Sequence, residues 1–138
     1  AKKNGFQEFE GQLEGCFFNF EKIDNYQHGI HDYFKFLKYG FGRATDLANN
    51  HIRRKRLTRD DGLKLVRMHD GKYPRSYLGK PLQNILSEFD MTTEEFDKVC
   101  DMFTNKRLFK QNNDGNLLRD NDGNLIKVND DNILEQTL

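Results

Sequence analysis

The sequence predicts a mainly α fold of about five packed helices with a small β-meander at its C-terminal end. Apolar residues recur at helical spacing from residue 29 to residue 103, and a Thr suited to helix capping precedes two of these runs. After Lys110 the composition changes to Asn, Asp and Gly. We therefore expect a helical domain over residues 1–110, with an irregular lead-in over 1–28, and a β-hairpin or meander tail over 111–138.

The composition fits one globular domain and excludes several functional classes. The 138 residues include 12 Phe and 5 Tyr, which supply a core, and the basic and acidic residues balance at 22 each. No overall electrostatic field therefore attracts nucleic acid or an anionic membrane. Cys16 and Cys100 form no metal or redox motif, and free thiols suit a reducing cytoplasm. Because no apolar run could span a bilayer and no signal peptide is recognisable, a cytoplasmic protein without membrane contact is expected.

The central helix is predicted over residues 29–39, after a lead-in whose only regular piece is a short extended segment from Cys16 to Phe20. One helical face carries the apolar residues Ile30, Phe34, Leu37 and Phe41. This apolar face is widened by the neighbouring aromatic residues Tyr33, Phe36 and Tyr39. A helix that is apolar over most of its circumference is buried on more than one side.

A second helix is predicted from about Arg43 to Lys55, after the break at Gly40-Phe41-Gly42. Its predicted buried stripe contains Ala44, Leu47, Ala48, His51 and Ile52. Its opposite, solvent-facing side carries Arg43, Asp46, Asn50 and Arg53. On this interpretation the guanidinium of Arg43 lies at the protein surface.

Three further helices complete the predicted domain. Thr58 caps the third, which runs to His69 and buries Leu63, Leu65 and Val66. Residues 72–81 are a connector, and a short fourth helix follows with the apolar residues Leu82, Ile85, Leu86 and Phe89. The fifth helix begins with a capping box between Thr92 and Glu95 and presents Phe96, Val99, Cys100 and Phe103 on one face.

The tail contains an internal repeat, since Asp114-Gly115-Asn116-Leu117 recurs as Asp122-Gly123-Asn124-Leu125. Each Asp-Gly is a turn signal between short apolar pairs, which predicts the β-meander. A calcium loop of the EF-hand type is not predicted, because the required Gly and Glu do not fall at their positions. No other metal site is expected.

No catalytic motif is present, but the segment from Lys38 to Asp46 could bind an anion. Gly40 and Gly42 form a turn that leads into a helix N-terminus, with Arg43 beside it. Backbone N–H groups, the helix dipole and a guanidinium together favour a bound anion. The alternative is purely structural: the glycines let two helices cross, and Arg43 pairs with Asp46 on a solvated face.

A second cluster consists of Arg53-Arg54-Lys55-Arg56 together with Arg59. Such a cluster could contact the phosphates of a nucleic acid. Basic residues at helix C-termini are often simply solvated and favoured by the helix dipole. In addition, no aromatic residues alternate with these cations to stack on bases. No nucleic-acid partner is therefore expected.

The order of several blocks resembles the PP-loop N-acetyl sugar amidotransferases of lipopolysaccharide O-antigen and flagellin-sugar biosynthesis. The blocks are residues 33–46 ending in Lys38-Tyr39-Gly40-Phe41-Gly42-Arg43-Ala44-Thr45-Asp46, then Ile52-Arg53, residues 57–66, Asp70-Gly71-Lys72 and residues 92–103. The resemblance runs from about Gln12 to Phe109. His51 stands where the family usually has Glu, Asp97 where it commonly has Trp, and the S-G-G-x-D-S pyrophosphate loop of the family is absent.

The resemblance implies that this chain is the C-terminal, substrate-side part of such an enzyme. ATP and Mg²⁺ would be held by a separate N-terminal PP-loop domain, a glutaminase subunit would supply ammonia, and an acetamido group on a nucleotide-linked or sialic-acid-like sugar would become an acetamidino group. The chain alone would bind no cofactor, contain no catalytic residue and be inactive. The substrate-binding residues implied are Lys38, Gly40, Gly42, Arg43, Asp46 and Arg53. The alternative is an RNA-binding, partner-docking or dimerisation module of another PP-loop enzyme.

Overall fold

The computed structural model describes residues 2–129 and confirms a mainly α fold with five α-helices. The helices are α1 (His28–Tyr39), α2 (Arg43–Arg53), α3 (Arg59–His69), α4 (Leu82–Leu86) and α5 (Thr93–Phe103). Short 3₁₀ helices cover Lys2–Asn4 and Ser87–Phe89. Every predicted helix is present, although α2 ends at Arg53 because the chain turns at Lys55, whose φ is 57°.

Helix α1 is the centre of the fold, as predicted, because it contributes to both hydrophobic clusters. The main core contains Tyr33, Phe36, Leu37, Leu82, Leu86, Phe96, Cys100, Phe109 and Leu125. The second core contains Leu13, Cys16, Leu47, Tyr77 and Ile85. Ile30 of α1 packs against both. The helix therefore joins the lead-in and α2 on one side to α4, α5 and the tail on the other.

The predicted extended segment from Cys16 to Phe20 is not a strand. The segment is held by side-chain burial instead: Cys16 is fully buried, and the rings of Phe17 and Phe18 contact each other at 4.7 Å. Alternating aromatics resemble a strand pattern, but no strand within residues 2–129 pairs with them.

The interface between α2 and α3 also differs from the predicted one. Leu63 was expected in the core but is 41% exposed, whereas Gly62 is buried. A Cβ on Gly62 would lie 2.8 Å from the Ile52 side chain, so the absence of a side chain is what lets the two helices approach. The helical spacing located α3 correctly and placed the partly buried Leu65 and Val66 on its inner face, but it wrongly added Leu63.

A hairpin in the predicted connector was missed. Strands β1 (Ser76–Tyr77) and β2 (Lys80–Pro81) pair antiparallel, with Tyr77 opposite Lys80. The two loop residues, Leu78 and Gly79, both have positive φ, as a two-residue hairpin turn requires. Leu rarely takes this conformation, so only Gly79 of the two loop residues indicates a turn in the sequence.

The tail forms the two predicted turns, with isolated antiparallel bridges between Phe109 and Lys127, Gln111 and Leu117, and Arg119 and Leu125. In each turn the side chain at the first position, Asn112 or Asp120, accepts backbone N–H groups two and four residues later. The N–H of Lys110 donates to Ile126, that of Leu118 to Lys110, and that of Ile126 to Leu118. The backbones of these three residues thus form a closed ring of hydrogen bonds rather than a flat meander. The part of the predicted tail from 130 to 138 lies outside the described residues.

Candidate functional site

The N-terminus of α2 holds an anion, and that anion is the carboxylate of Asp70. The carboxylate accepts the backbone N–H of Gly42 at 2.8 Å and that of Ala44 at 3.0 Å, and the Thr45 hydroxyl donates to it at 2.6 Å. Asp70 is itself the residue that ends α3. The helix N-terminus therefore favours an anion as the sequence suggested, but the ligand is a residue of the same chain.

Gly42 is required for this arrangement by its lack of a side chain. A Cβ at that position would lie 2.7 Å from Asp70 Oδ1. Gly40 has a different role: its φ of 76° ends α1, and its N–H donates to Phe36. Gly40 thus ends helix α1, whereas Gly42 lets the Asp70 carboxylate approach the backbone closely.

Arg43 is buried, contrary to the expectation that it faces solvent. It is 4% exposed and forms an ion pair with Asp32, which is 6% exposed. Its guanidinium also donates to the Tyr77 hydroxyl at 3.1 Å, and that hydroxyl donates to the carbonyl of Lys22 at 3.0 Å. The first residue of a helix points back along the chain, which turns Arg43 toward α1 rather than outward. Asp46, the alternative partner, pairs instead with Lys35.

The groups around this ion pair are strongly influenced by burial. Burial lowers the pKa of Lys22, and the nearby positive charge of Arg43 lowers it further. Burial raises the pKa of Tyr77, although the Arg43 guanidinium acts in the opposite direction. Burial also raises the pKa of Glu14, which accepts the Ser76 N–H at 3.1 Å. This region is a structural network of desolvated charges that joins the lead-in, α1, α2 and β1.

The other predicted substrate-binding residues do not converge on Arg43. Lys38 is exposed, with its ammonium 5.1 Å from the centre of the Phe103 ring. Arg53 lies at the far end of α2, about 15 Å from Arg43 at the rise of an α-helix. Gly42 and Arg43 each bind a carboxylate of the same chain, Asp70 and Asp32, and their role in binding substrate stays a prediction.

A cavity of about 330 Å³ opens beside Asp70, between the end of α3 and the tail. It is lined by Phe36, Val66, Arg67, Asp70, Gly71, Lys72, Asp120, Asn124, Leu125 and Lys127. Sequence reasoning did not single out its basic residues. The block Asp70-Gly71-Lys72 was recognised in the sequence, but no sequence pattern predicts that the tail lies beside this loop.

Both departures from the family pattern have local structural partners. The ring of His51 lies 5.1 Å from that of Phe18, so it packs on the lead-in. Asp97 accepts the Tyr73 hydroxyl at 2.6 Å. Burial and this carboxylate together raise the pKa of Tyr73, which keeps the hydroxyl a donor. Asp97 thus anchors the connector between α3 and β1 to α5 through its hydrogen bond with Tyr73.

Neither cysteine is placed for chemistry. Both are free and buried, and burial raises the pKa of the Cys100 thiol to about 12. Within residues 2–129 no three His, Cys, Asp or Glu side chains come together as a metal site would need, and no helix there is long and apolar enough to cross a membrane.

A comparison with protein-family models gives one match for the chain. The model described as "LPS biosynthesis protein WbpG-like, C-terminal domain" matches residues 6–121, which include most of the lead-in, all five helices and the first turn of the tail. No curated protein sequence matches the chain. The chain belongs to the family of WbpG-like C-terminal domains of LPS biosynthesis proteins.

Proposed function

We propose that this chain is the substrate-side domain of an ATP-dependent N-acetyl sugar amidotransferase that acts in the cytoplasm in lipopolysaccharide biosynthesis. The observation that carries the proposal is the match of residues 6–121 to a C-terminal domain of LPS biosynthesis proteins. It is supported by the amidotransferase-like blocks in the sequence, two of which, around Gly42 and Asp70, are joined by direct hydrogen bonds.

In the proposed reaction the amide oxygen of an N-acetyl group on a nucleotide-linked or sialic-acid-like sugar attacks ATP, releasing pyrophosphate. Ammonia from a glutaminase subunit then adds to the activated carbon, AMP leaves, and an acetamidino group remains. In this proposal ATP and Mg²⁺ are held by a preceding PP-loop domain, as the resemblance to the amidotransferases implies. The domain described here forms the wall that holds the sugar substrate.

Of the predicted substrate-binding residues, we assign Gly42 and Arg43 to the framework of that wall. Both are buried, and both are occupied by carboxylates of the same chain, Asp70 and Asp32. Gly42 positions the loop from Asp70 to Lys72, Arg43 holds Asp32 of α1, and we assign neither of them a contact with the sugar. Lys38 and Arg53 are exposed and remain available to a ligand or to the preceding domain.

The test is a reaction with the full-length protein. Its coding sequence should contain an S-G-G-x-D-S loop in frame upstream of this chain. The purified enzyme, given ATP, Mg²⁺, ammonium and a nucleotide-linked N-acetyl sugar, should release AMP in step with a product in which NH replaces one oxygen by mass spectrometry. An upstream sequence without that loop, or AMP release without an amidine product, would contradict the proposal.

The RNA-binding alternative is favoured by one observation. Arg53, Arg54, Lys55, Arg56 and Arg59 are all exposed, and within residues 2–129 none of them forms an ion pair or a side-chain hydrogen bond. If they bind RNA, affinity for tRNA should fall steeply with salt and vanish in an Arg53, Arg54 and Arg56 triple-Ala variant. We expect only weak tRNA binding that does not discriminate between sequences.

A further inference from the structure

We propose that the cavity between α3 and the tail binds the phosphoryl group of a sugar phosphate, with Arg67 and Lys72 as the cations that hold it. The inference rests on the proposed function for the sugar, while the anion specificity follows from the cavity itself. It places substrate recognition beside the α2 N-terminus, where Gly42 and Arg43 are already satisfied within the chain.

The shape of the cavity limits the size of the ligand. Its volume of about 330 Å³ is bounded by α1, the end of α3, the Asp70–Lys72 loop and the tail. Ligand pockets commonly measure about 300–1,000 Å³, so this one suits the sugar-phosphate part of a nucleotide sugar, with the nucleoside outside it. Phe36, Val66 and Leu125 give it an apolar side against which the face of a sugar ring can pack.

The charges that face the cavity select an anion. Asp70 and Asp120 line it, but their oxygens already accept hydrogen bonds, from the α2 N-terminus and from the tail turn respectively. Arg67 and Lys72 are exposed, and within residues 2–129 neither side chain makes a hydrogen bond or an ion pair. The cavity is lined by three cations, Arg67, Lys72 and Lys127, against these two carboxylates, so its lining carries a net positive charge. A net positive concave site favours phosphate, which a guanidinium binds with two parallel hydrogen bonds and an ammonium binds as a point charge.

The walls of the cavity are fixed before any ligand arrives. Asn124 is buried in the tail, and its side-chain oxygen accepts the Tyr73 N–H at 3.0 Å. In a second contact with the tail, the Arg75 guanidinium donates to the carbonyl of Asp122 at 2.6 Å. These contacts join the tail to the loop that carries Lys72. A preformed site loses less conformational entropy on binding.

The test is NMR titration of the 138-residue chain with N-acetylglucosamine 1-phosphate, free N-acetylglucosamine and inorganic pyrophosphate. We expect the sugar phosphate to shift the amide signals of Gly71, Lys72, Asn124 and Leu125, and the free sugar to leave them unchanged at equal concentration. An Arg67→Ala, Lys72→Ala double variant should weaken binding by at least about tenfold, since each contact to a charged group is worth about a factor of ten. The matched control is Arg54→Ala, Lys64→Ala, which removes two exposed cations elsewhere and should bind like the wild type.

Shifts that persist in the double variant, or that map instead to residues 53–59, would overturn the proposal. Binding of pyrophosphate without the sugar phosphate would overturn the sugar assignment and leave only an anion site. Sugar-phosphate binding in this cavity, combined with no AMP release by the full-length protein, would support this inference and overturn the proposed function instead.

Discussion

The carboxylate of Asp70 accepts the backbone N–H of Gly42 at 2.8 Å, across 28 residues of sequence. It links the end of α3 to the start of α2 and so fixes the position of these two helix ends relative to each other. The same carboxylate borders the candidate cavity. The stability of the α2–α3 junction and the geometry of the cavity therefore depend on one side chain.

Asp70→Ala should destabilise the protein by about 1–2 kcal/mol, because it removes an N-terminal helix cap and leaves the N–H groups of Gly42 and Ala44 without an acceptor. Asp70→Asn retains one oxygen acceptor and should lose less. Urea unfolding measures both. The control is Glu10→Ala, which removes an exposed carboxylate of the lead-in and should leave the free energy of unfolding nearly unchanged. Equal stability of Asp70→Ala and this control would show that the cap contributes nothing.

Arg43→Met should destabilise the protein by about 3 kcal/mol, the low end for a broken buried ion pair, since the buried carboxylate of Asp32 then keeps only the Lys22 ammonium at 3.5 Å. Arg43 is not a surface residue, so even Arg43→Lys should lower stability by losing the Tyr77 contact. The double variant Asp32→Leu, Arg43→Met should lose less than the sum of the two single changes in a double-mutant cycle.

The control for this prediction is the more exposed pair between Lys35 and Asp46. Lys35→Ala should cost no more than about 1 kcal/mol, because a solvated ion pair contributes little. If chemical denaturation gave the same loss for both pairs, burial would not be what makes the Arg43 pair important.

Gly71→Ala should destabilise the protein more than Gly79→Ala, although both glycines have a φ of 75°. Either Ala pays about 1–2 kcal/mol for the left-handed backbone conformation. At Gly71 a Cβ also clashes with the Phe36 ring, whereas nothing lies within 4 Å of one at Gly79. The clash should add about 1–3 kcal/mol, as overpacking of a core does. Thermal unfolding of the two variants side by side isolates this difference, and equal losses would contradict the close packing of Gly71 on Phe36.

The stability of the protein should fall as the pH decreases below the ordinary His pKa of 6.5, because burial lowers the pKa of His69 in the folded state. Gln12 approaches Nδ1 of this ring at 3.2 Å, which suits a neutral imidazole with an amide donor. Between the folded and unfolded pKa values the unfolded chain binds more protons, so acid favours unfolding there. The loss measured between about pH 7.5 and about pH 5.5 should be smaller in His69→Gln. An identical pH dependence in that variant would assign the effect to other groups.

Local patterns located the helices well because their signals are local. The capping box of Thr92 and Glu95 is present, and Thr58 accepts the Asp61 N–H at the start of α3. The repeated Asp-Gly turns were equally clear, since each is built from hydrogen bonds within five residues. Burial was predicted less well: spacing placed Leu63 in the core and Arg43 in solvent, and the structure reverses both.

The sequence by itself determined the number and order of the helices and the turns of the tail, and it left the α2 N-terminus open between an anion site and a purely structural turn. The tertiary structure alone decided which anion that terminus binds. Asp70 reaches Gly42, Asp32 reaches Arg43 and the tail reaches Lys72 only after α2 folds back on α3 and α1 is enclosed. Capping and turn signals act over a few residues, whereas the pairing of buried charges depends on contacts between residues far apart in the chain. No pattern in a single sequence records those contacts.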